Sequence, residues 1–545
     1  MDGSVEKIIE IAGTKHRYQY FIVFIAFFCW FSFELLSVSL SFLEMMPQVT
    51  YFLENGTMIP PTKLTYDICK KYNFTKVSVS NASWVTEFDR ECNDVETGLI
   101  GTFAFFGVLL GALIFQVIAE KLGRRYAILI ATFGYIICLI TFQFASSIYY
   151  LWVLSVFLQI FCSIGNLGSY LLMNEVTSVS SRSLCGAIVQ SAFSASGITF
   201  IGLYYYLDSW RKPFLIASII ALINGVLYFF FGFESPRFYL NKNRIKDFFA
   251  TLGKMAKFNG ENEKYQNIVM YNYRIVFPEN DTTAGKDSQE QSSVPSSSDN
   301  SNLEDLIKKN DQDENINQEI KTTIEKIKEV SAEKQENIKN NTEKQYSALS
   351  LLKYSSQRLN FLIMCYMWFC TSGVYYGLTI NIKNLPGNTY VTGIIMFVVE
   401  AVAYILSGNL INIPFLGRKK TIFMFYSVSF LVYGIIVIFQ VESYWLTILS
   451  LTARFCVSGV YNIIYTYSTE VYPTVVRSNG LGFNSVCGRV GGMVFPFILE
   501  IMHSSITYLF MGLNLIALFA VLLLPETYGK PLSDSIPEEN KKIEN

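Results

Sequence analysis

The stretch Asn174-Glu175-Val176-Thr177-Ser178-Val179-Ser180-Ser181-Arg182-Ser183 returns near the other end of the chain as Thr469-Glu470-Val471-Tyr472-Pro473-Thr474-Val475-Val476-Arg477-Ser478. In both copies a glutamate closes a long apolar block, and an Arg-Ser pair begins seven residues later. The copies stand 295 residues apart, and Gly197 and Gly492 share that offset. Leu122-Gly123-Arg124-Arg125 returns as Leu416-Gly417-Arg418-Lys419, at 294. One offset shared by marks so far apart implies a duplicated half. Duplicated membrane-spanning halves point to a carrier with its site between them.

Working outward, the 545-residue chain is 51% hydrophobic and 16% aromatic, with a mean hydropathy of +0.32. Its apolar residues come in blocks of about 20, the length of a helix that crosses a bilayer core. Twelve such spans can be drawn, six in each half. The first half has 20–43, 97–119, 126–145, 150–172, 184–206 and 213–233; the second has 359–380, 390–411, 421–440, 445–467, 478–498 and 506–524. Unsatisfied backbone is too costly in lipid for anything but helices or a closed barrel, and blocks this long are helices. The expected fold is therefore an all-α membrane protein of twelve helices in two six-helix halves.

The short loops after spans 2, 4, 8 and 10 carry Lys121, Arg124, Arg125, Arg182, Arg418, Lys419, Lys420 and Arg477, whereas those after spans 3, 9 and 11 carry no Lys or Arg. Positive loops stay in the cytosol, which puts both termini there. The chain then divides into an N-terminal half (1–233) with an extracellular loop (47–96), a cytosolic central loop (234–358), a C-terminal half (359–524) and a cytosolic tail (525–545). The first block is too long for a cleavable h-region and reads as a retained anchor. The loop 47–96 holds the sequons at Asn55, Asn73 and Asn81 together with Cys69 and Cys92, which together suggest a glycosylated, oxidised loop closed by one disulfide. Sequons at Asn280 and Asn340 fall in the central loop and count for little. Within that loop, 281–302 reads as disordered from its Ser, Asp, Gln and Thr. Ile316, Ile320, Ile324, Ile327 and Val330 then recur at helical spacing, either as a solvated linker helix or as a docking helix for a cytosolic partner or the membrane face.

Several classes fall away. A net charge of −1 gives no basis for nucleic-acid binding. The two histidines, His16 and His503, lie on different segments, and no CxxC pair occurs among the ten cysteines, so no metal site and no cofactor are indicated. No nucleophile–base pair or phosphate loop marks an enzyme.

Ionisable groups inside a span cost several kcal/mol and default to functional candidates. Glu34 lies mid-span 1 beside Trp30, Phe31 and Phe33; Glu400 is in span 8, Arg454 in span 10 and Arg489 in span 11. A structural ion pair is the plain alternative for each, most of all for Arg454. As a site, a carboxylate attracts a substrate cation and Arg489 holds a carboxylate. Trp368 and Tyr375, two turns apart on one face of span 7, offer π-faces to an organic cation, as do Tyr376, Tyr461 and Tyr465. Arg124 and Arg125 at a cytosolic helix end suit an acidic partner such as Glu175. Such pairs, with Arg182, Arg418, Glu470 and Arg477, are the expected gating set.

These residues together resemble the major facilitator superfamily and, within it, the organic ion transporters of solute carrier family 22. The family's first-half signature is matched by Gly111…Glu120-Lys121-Leu122-Gly123-Arg124-Arg125, with Glu for the usual Asp and Gln116 for a usual Gly. Glu234-Ser235-Pro236-Arg237-Phe238, Tyr375-Tyr376-Gly377-Leu378, Gly387-Asn388-Thr389-Tyr390, Glu470-Val471-Tyr472-Pro473-Thr474 with Arg477, and Pro525-Glu526-Thr527 with Gly529, Pro531 and Leu532 follow in family order. The resemblance implies a plasma-membrane carrier. It also implies that Trp368 and Tyr375 line the substrate cavity. Arg489 stands where anion and carnitine-type carriers have Arg and cation carriers have Asp. Val399-Glu400-Ala401-Val402-Ala403-Tyr404 is similar to the carnitine-type motif without its Pro, and Tyr404 stands where anion carriers have Lys. Glu34 matches no usual family acid.

The expected substrates are thus small organic cations and zwitterions of the carnitine type. A zwitterion gains nothing from membrane potential and needs a coupled ion, Na+ or H+, or exchange. An organic anion exchanger and a non-transporting receptor on the same fold are the alternatives.

Overall fold

A computed structural model of the chain describes residues 8–13, 17–43, 49–53, 58–59, 74–79, 84–88, 90, 94–177, 179–207, 209–277, 316–329, 351–352, 355–382, 385–473, 476–502 and 505–529. Twelve apolar helices form its body. Spans 1–6 are Arg17–Phe33 continuing as Leu35–Leu43, then Asp94–Lys121, Arg124–Phe142, Ile148–Val176, Val179–Leu207 and Arg211–Phe231. Spans 7–12 are Ser355–Asn381, Thr389–Leu410, Gly417–Phe439, Ser443–Val471, Arg477–Met502 and Ile506–Leu522. Eleven are long and apolar enough to cross a bilayer, and the last has 17 residues, the lower end of what a crossing needs. Large apolar side chains such as Ile137, Phe230, Ile438 and Phe439 stand on the outside of the bundle, where hydrocarbon rather than water is the natural solvent.

Polar side chains cap two of the helix starts. Ser147 accepts the Tyr149 amide to cap span 4, and Asn388 accepts the Tyr390 and Val391 amides to cap span 8. Pro213 sits in the first turn of span 6, where its missing N–H has no partner to lose. The turns before spans 3 and 9 need glycine: Gly123 has φ +99° and Gly417 φ +63°, and a Cβ on either would strike the carboxylate of Glu234 or Glu526.

Two seams join the halves: span 2 packs on span 11, and span 5 on span 8. Advancing the first pair by six spans generates the second, so the packing carries the duplication that the sequence shows. In the seams Gly197 receives the Phe397 ring and Gly492 of span 11 stands against the Phe105 ring of span 2, which also meets Tyr376 of span 7 edge-on at 4.4 Å.

Outside the bundle the described parts of the loop between spans 1 and 2 include a small antiparallel sheet, order β2-β1-β3, from β1 (Val49–Leu53), β2 (Met58–Ile59) and β3 (Phe74–Val79), with an irregularity between Thr50 and Tyr51. Cys69, Cys92, Asn55, Asn73 and Asn81 lie outside the described residues, as do 281–302. After span 6, the helices Pro236–Asn241, Ile245–Asn259, Asn262–Tyr265 and Tyr271–Val276 form a cap, tied to the N-terminal segment by Asn259. The stripe in the central loop forms a helix at 316–329. It buries Ile320, Ile324 and Ile327, and it is held to this cap by Asn272 donating to Asn317 (3.3 Å) and Lys328 donating to the Val276 carbonyl (2.8 Å). Its docking partner is therefore the chain itself.

Candidate functional site

Span 1 is interrupted for one residue, and that residue is Glu34. The break opens on a small cavity lined by spans 1, 5, 7, 8, 10 and 11. From the first half come Trp30, Glu34, Gln190 and Phe193; from the second come Tyr375, Tyr376, Tyr404, Tyr461, Tyr465 and Arg489. The wall is aromatic, and its charges are one carboxylate and one guanidinium.

Glu34 and Arg489 face the same cavity. Among the described residues neither forms an ion pair within 4.0 Å. The Glu34 carboxylate instead accepts from the Asn166 amide at 2.6 Å, and the Trp30 indole donates to the Asn166 carbonyl at 3.2 Å. Tyr375, Tyr461 and Tyr465 form a continuous run of rings, Tyr375 stacked on Tyr461 at 5.0 Å and Tyr461 edge-on to Tyr465 at 5.7 Å. Stacked rings present edges and hydroxyls as well as faces, so the wall suits both an alkylated ammonium and a hydrogen-bonding group.

Glu400 does not line this cavity. It is fully buried and paired with Arg454. Its other oxygen accepts from Tyr375 at 2.8 Å and from Ser194, across the seam between the halves, at 3.1 Å. Arg454 also donates to the Tyr375 carbonyl (2.5 Å) and to Thr379 (2.6 Å), and its guanidinium lies 3.6 Å over the Tyr375 ring. That ring is thus engaged by both Arg454 and Tyr461. Trp368 is likewise one layer back: its indole donates to Ser468 at 2.9 Å, and its ring packs edge-on against Tyr465 at 4.6 Å. Of the residues singled out in the sequence for substrate, Glu34, Tyr375, Tyr404 and Arg489 meet at the cavity, while Trp368 and Glu400 support it.

The charged turns repeat their chemistry in each half. Arg124 pairs with Glu175 at 2.9 Å and Arg418 with Glu470 at 2.8 Å. The amides of Arg124 and Arg125 both donate to Glu234 at 2.9 Å, and those of Arg418 and Lys419 to Glu526 at 3.0 Å. Arg125 reaches the Phe229 carbonyl, and Lys419 that of Leu522. Among the described residues, each of these contacts stays within its own half. The side chains of Arg182 and Arg477 lie outside the described residues. Burial pushes the Glu234 carboxyl up, against the amides that lower it. At Glu526 burial also raises, but four backbone amides prevail and hold the carboxyl below the usual range.

Glu234 and Glu526 are absent from the expected gating set. Their signal was available: Glu234 directly follows the last apolar block of its half and Glu526 follows one residue further on, 292 residues apart. Gln190 and Asn166 were also overlooked, though an amide inside an apolar span is itself costly. Among the described residues no three His, Cys, Asp or Glu side chains group as a metal site.

The sequence pattern of the Major Facilitator Superfamily matches residues 22–496 and 393–541. The chain is 27% identical to organic cation/carnitine transporter 2 of Rattus norvegicus over 83% of its length and 71% of that protein's. It is 26% identical to an organic cation transporter protein of Drosophila melanogaster (89% and 78%) and 25% to solute carrier family 22 member 6 of Bos taurus (84% and 73%). Among solved structures the fold resembles the inward-open xylose transporter XylE of E. coli, with a TM-score of 0.56 at 12% identity over 96% of this chain and 98% of that one.

Proposed function

The chain belongs to the major facilitator superfamily, and from that premise we propose that it carries small organic ions across the plasma membrane by alternating access, favouring zwitterions of the carnitine type and organic cations. The observation that carries this reading is the cavity between the halves, where one carboxylate and one guanidinium stand out of contact among tyrosines. An ammonium fits the side of Glu34 and the rings; a carboxylate fits Arg489. The relatives whose names give organic cations and carnitine support the same class. Rocking of the two halves about the seams between spans 2 and 11 and spans 5 and 8 exposes the cavity to each side in turn. A substrate with net positive charge is drawn inward by membrane potential, about 2.3 kcal/mol per charge per 100 mV.

Arg489 also favours a second reading, organic anion exchange, because no carboxylate among the described residues contacts it. One assay separates the two. Labelled carnitine, tetraethylammonium and para-aminohippurate are offered to proteoliposomes holding the full chain or Arg489→Asp. On the zwitterion reading the intact chain takes up carnitine in preference to para-aminohippurate, and the variant loses carnitine while keeping or gaining tetraethylammonium. Uptake of para-aminohippurate alone would replace this reading with the anion exchanger. Unchanged carnitine preference in Arg489→Asp would remove Arg489 from the site.

A further inference from the structure

Among the described residues three cysteines are only half-buried: Cys185, Cys365 and Cys487. The last two belong together. Cys365 lies ten residues into span 7 and Cys487 ten residues into span 11, so they stand at one level of two neighbouring spans. Their thiols are in hydrogen-bond contact.

The helices around them hold that contact. Cys365, Trp368, Phe369 and Ser372 share one face of span 7, and Asn484, Cys487, Gly488 and Gly491 share one face of span 11, each set at steps of three and four. The two faces meet along their length. Cys365 donates to Asn484 Oδ1 at 3.3 Å, Trp368 and Ser372 close on Gly488, and a Cβ on Gly491 would strike the Phe369 carbonyl. Two glycines thus bring the backbones almost into touch beside the thiols. A disulfide needs Cα atoms about 4.4–6.8 Å apart, and close packing of this kind supplies that approach. Neither thiol lines the cavity. Each is joined to it by its own helix: Trp368, a turn on from Cys365, packs on Tyr465 of the wall, and Arg489 is two residues on from Cys487.

We propose that Cys365 and Cys487 form a redox-active dithiol, which a peroxide oxidises to a disulfide that ties span 7 to span 11 and arrests transport. One sulfur attacks a peroxide oxygen and the O–O bond breaks. Hydroxide leaves as water with that thiol's proton, and the sulfur keeps the other OH as a sulfenic acid. The second sulfur displaces this OH, which leaves as water with the second thiol's proton, and the S–S bond forms. Two thiols and one hydrogen peroxide give one disulfide and two waters; the sulfurs lose two electrons and the peroxide gains them. Hydrogen peroxide is small and uncharged, so it reaches a thiol inside a membrane without a channel. The bond itself is independent of the carrier reading. The arrest rests on that reading: a carrier repacks its helices between its two open forms, and the bond fixes the helix behind the wall to the helix that holds Arg489.

The test uses the purified full chain, reduced and then exposed to hydrogen peroxide, with remaining thiols trapped by N-ethylmaleimide before digestion. A peptide pair joined through Cys365 and Cys487 is expected, and dithiothreitol should separate it. In proteoliposomes the same treatment should abolish uptake of whichever labelled ion the reduced chain carries, and dithiothreitol should restore it. Cys365→Ala and Cys487→Ala should each keep uptake after peroxide. Cys185→Ala, which removes the other half-buried thiol, should still lose it. The absence of the joined peptides from the oxidised parent chain, a measurement that needs no variant to fold, would overturn the dithiol. Joined peptides with undiminished uptake would overturn the arrest, as would equal loss of uptake in the Cys365 and Cys487 variants. Joined peptides in a chain that carries no organic ion even when reduced would keep the dithiol and sink the carrier reading instead.

Discussion

Glu34 and Glu400 are both acids in the middle of apolar helices, and the fold treats them in opposite ways. Glu400 is closed into a pair with Arg454, 54 residues along the chain, and the pair braces Tyr375 through its hydroxyl, carbonyl and ring. Glu34 faces the cavity. The membrane cost marked both in the sequence; it could not say which had a counter-charge, because that depends on how spans 8 and 10 are rotated against each other. Removing one member of a buried pair strands the other at about 3–5 kcal/mol. Arg454→Met should therefore lower the unfolding temperature sharply in detergent, and Glu400→Gln with Arg454→Met should recover part of the loss. If Arg454→Met melts like the parent chain, the pair is not what holds spans 8 and 10 together.

At the scale of elements, the charged turns show how one motif serves two helices. Glu234 and Glu526 each cross the end of a half and take the free amides of the next-to-open helix, the N-terminus of span 3 or span 9, where a carboxylate also meets the positive end of the helix dipole. Their surroundings still differ. Because the Glu526 carboxyl is held below its unfolded value, its contribution is present above the ordinary carboxylate range and is lost as pH falls through the depressed value. Glu526→Gln should accordingly lower Tm at neutral pH, with the gap from the parent chain closing as the pH drops below about 4. The Glu234 carboxyl is raised, so its proton-linked contribution is lost as pH rises, and the gap for Glu234→Gln should narrow in the other direction. A pH-independent gap for Glu526→Gln would show that shape, not charge, makes the clamp. The central helix at 316–329 is a simpler case. Its Ile320, Ile324 and Ile327 stripe was legible as a face needing cover, but nothing along the chain said that the cap after span 6 supplies the cover.

At the scale of the molecule, the cavity and both seams between halves are built from spans, and no described contact of theirs involves the central loop. Deleting 281–311, which spares the docked helix, should leave organic-ion uptake in proteoliposomes within about twofold, since surface substitutions away from packed features change little. Loss of uptake with a normal melting curve would instead place function in that loop and favour the receptor alternative. The sequence by itself determined the number of spans, the duplication, and which charges are stranded in the membrane, because hydropathy and spacing are properties of a line. Only the tertiary structure decided that Arg454 neutralises Glu400, that Trp368 stands behind the cavity wall, and that Glu34 and Arg489 share a space without touching. Those outcomes depend on the rotation of each helix about its axis and on which half it meets, and residues hundreds of positions apart settle both through packing.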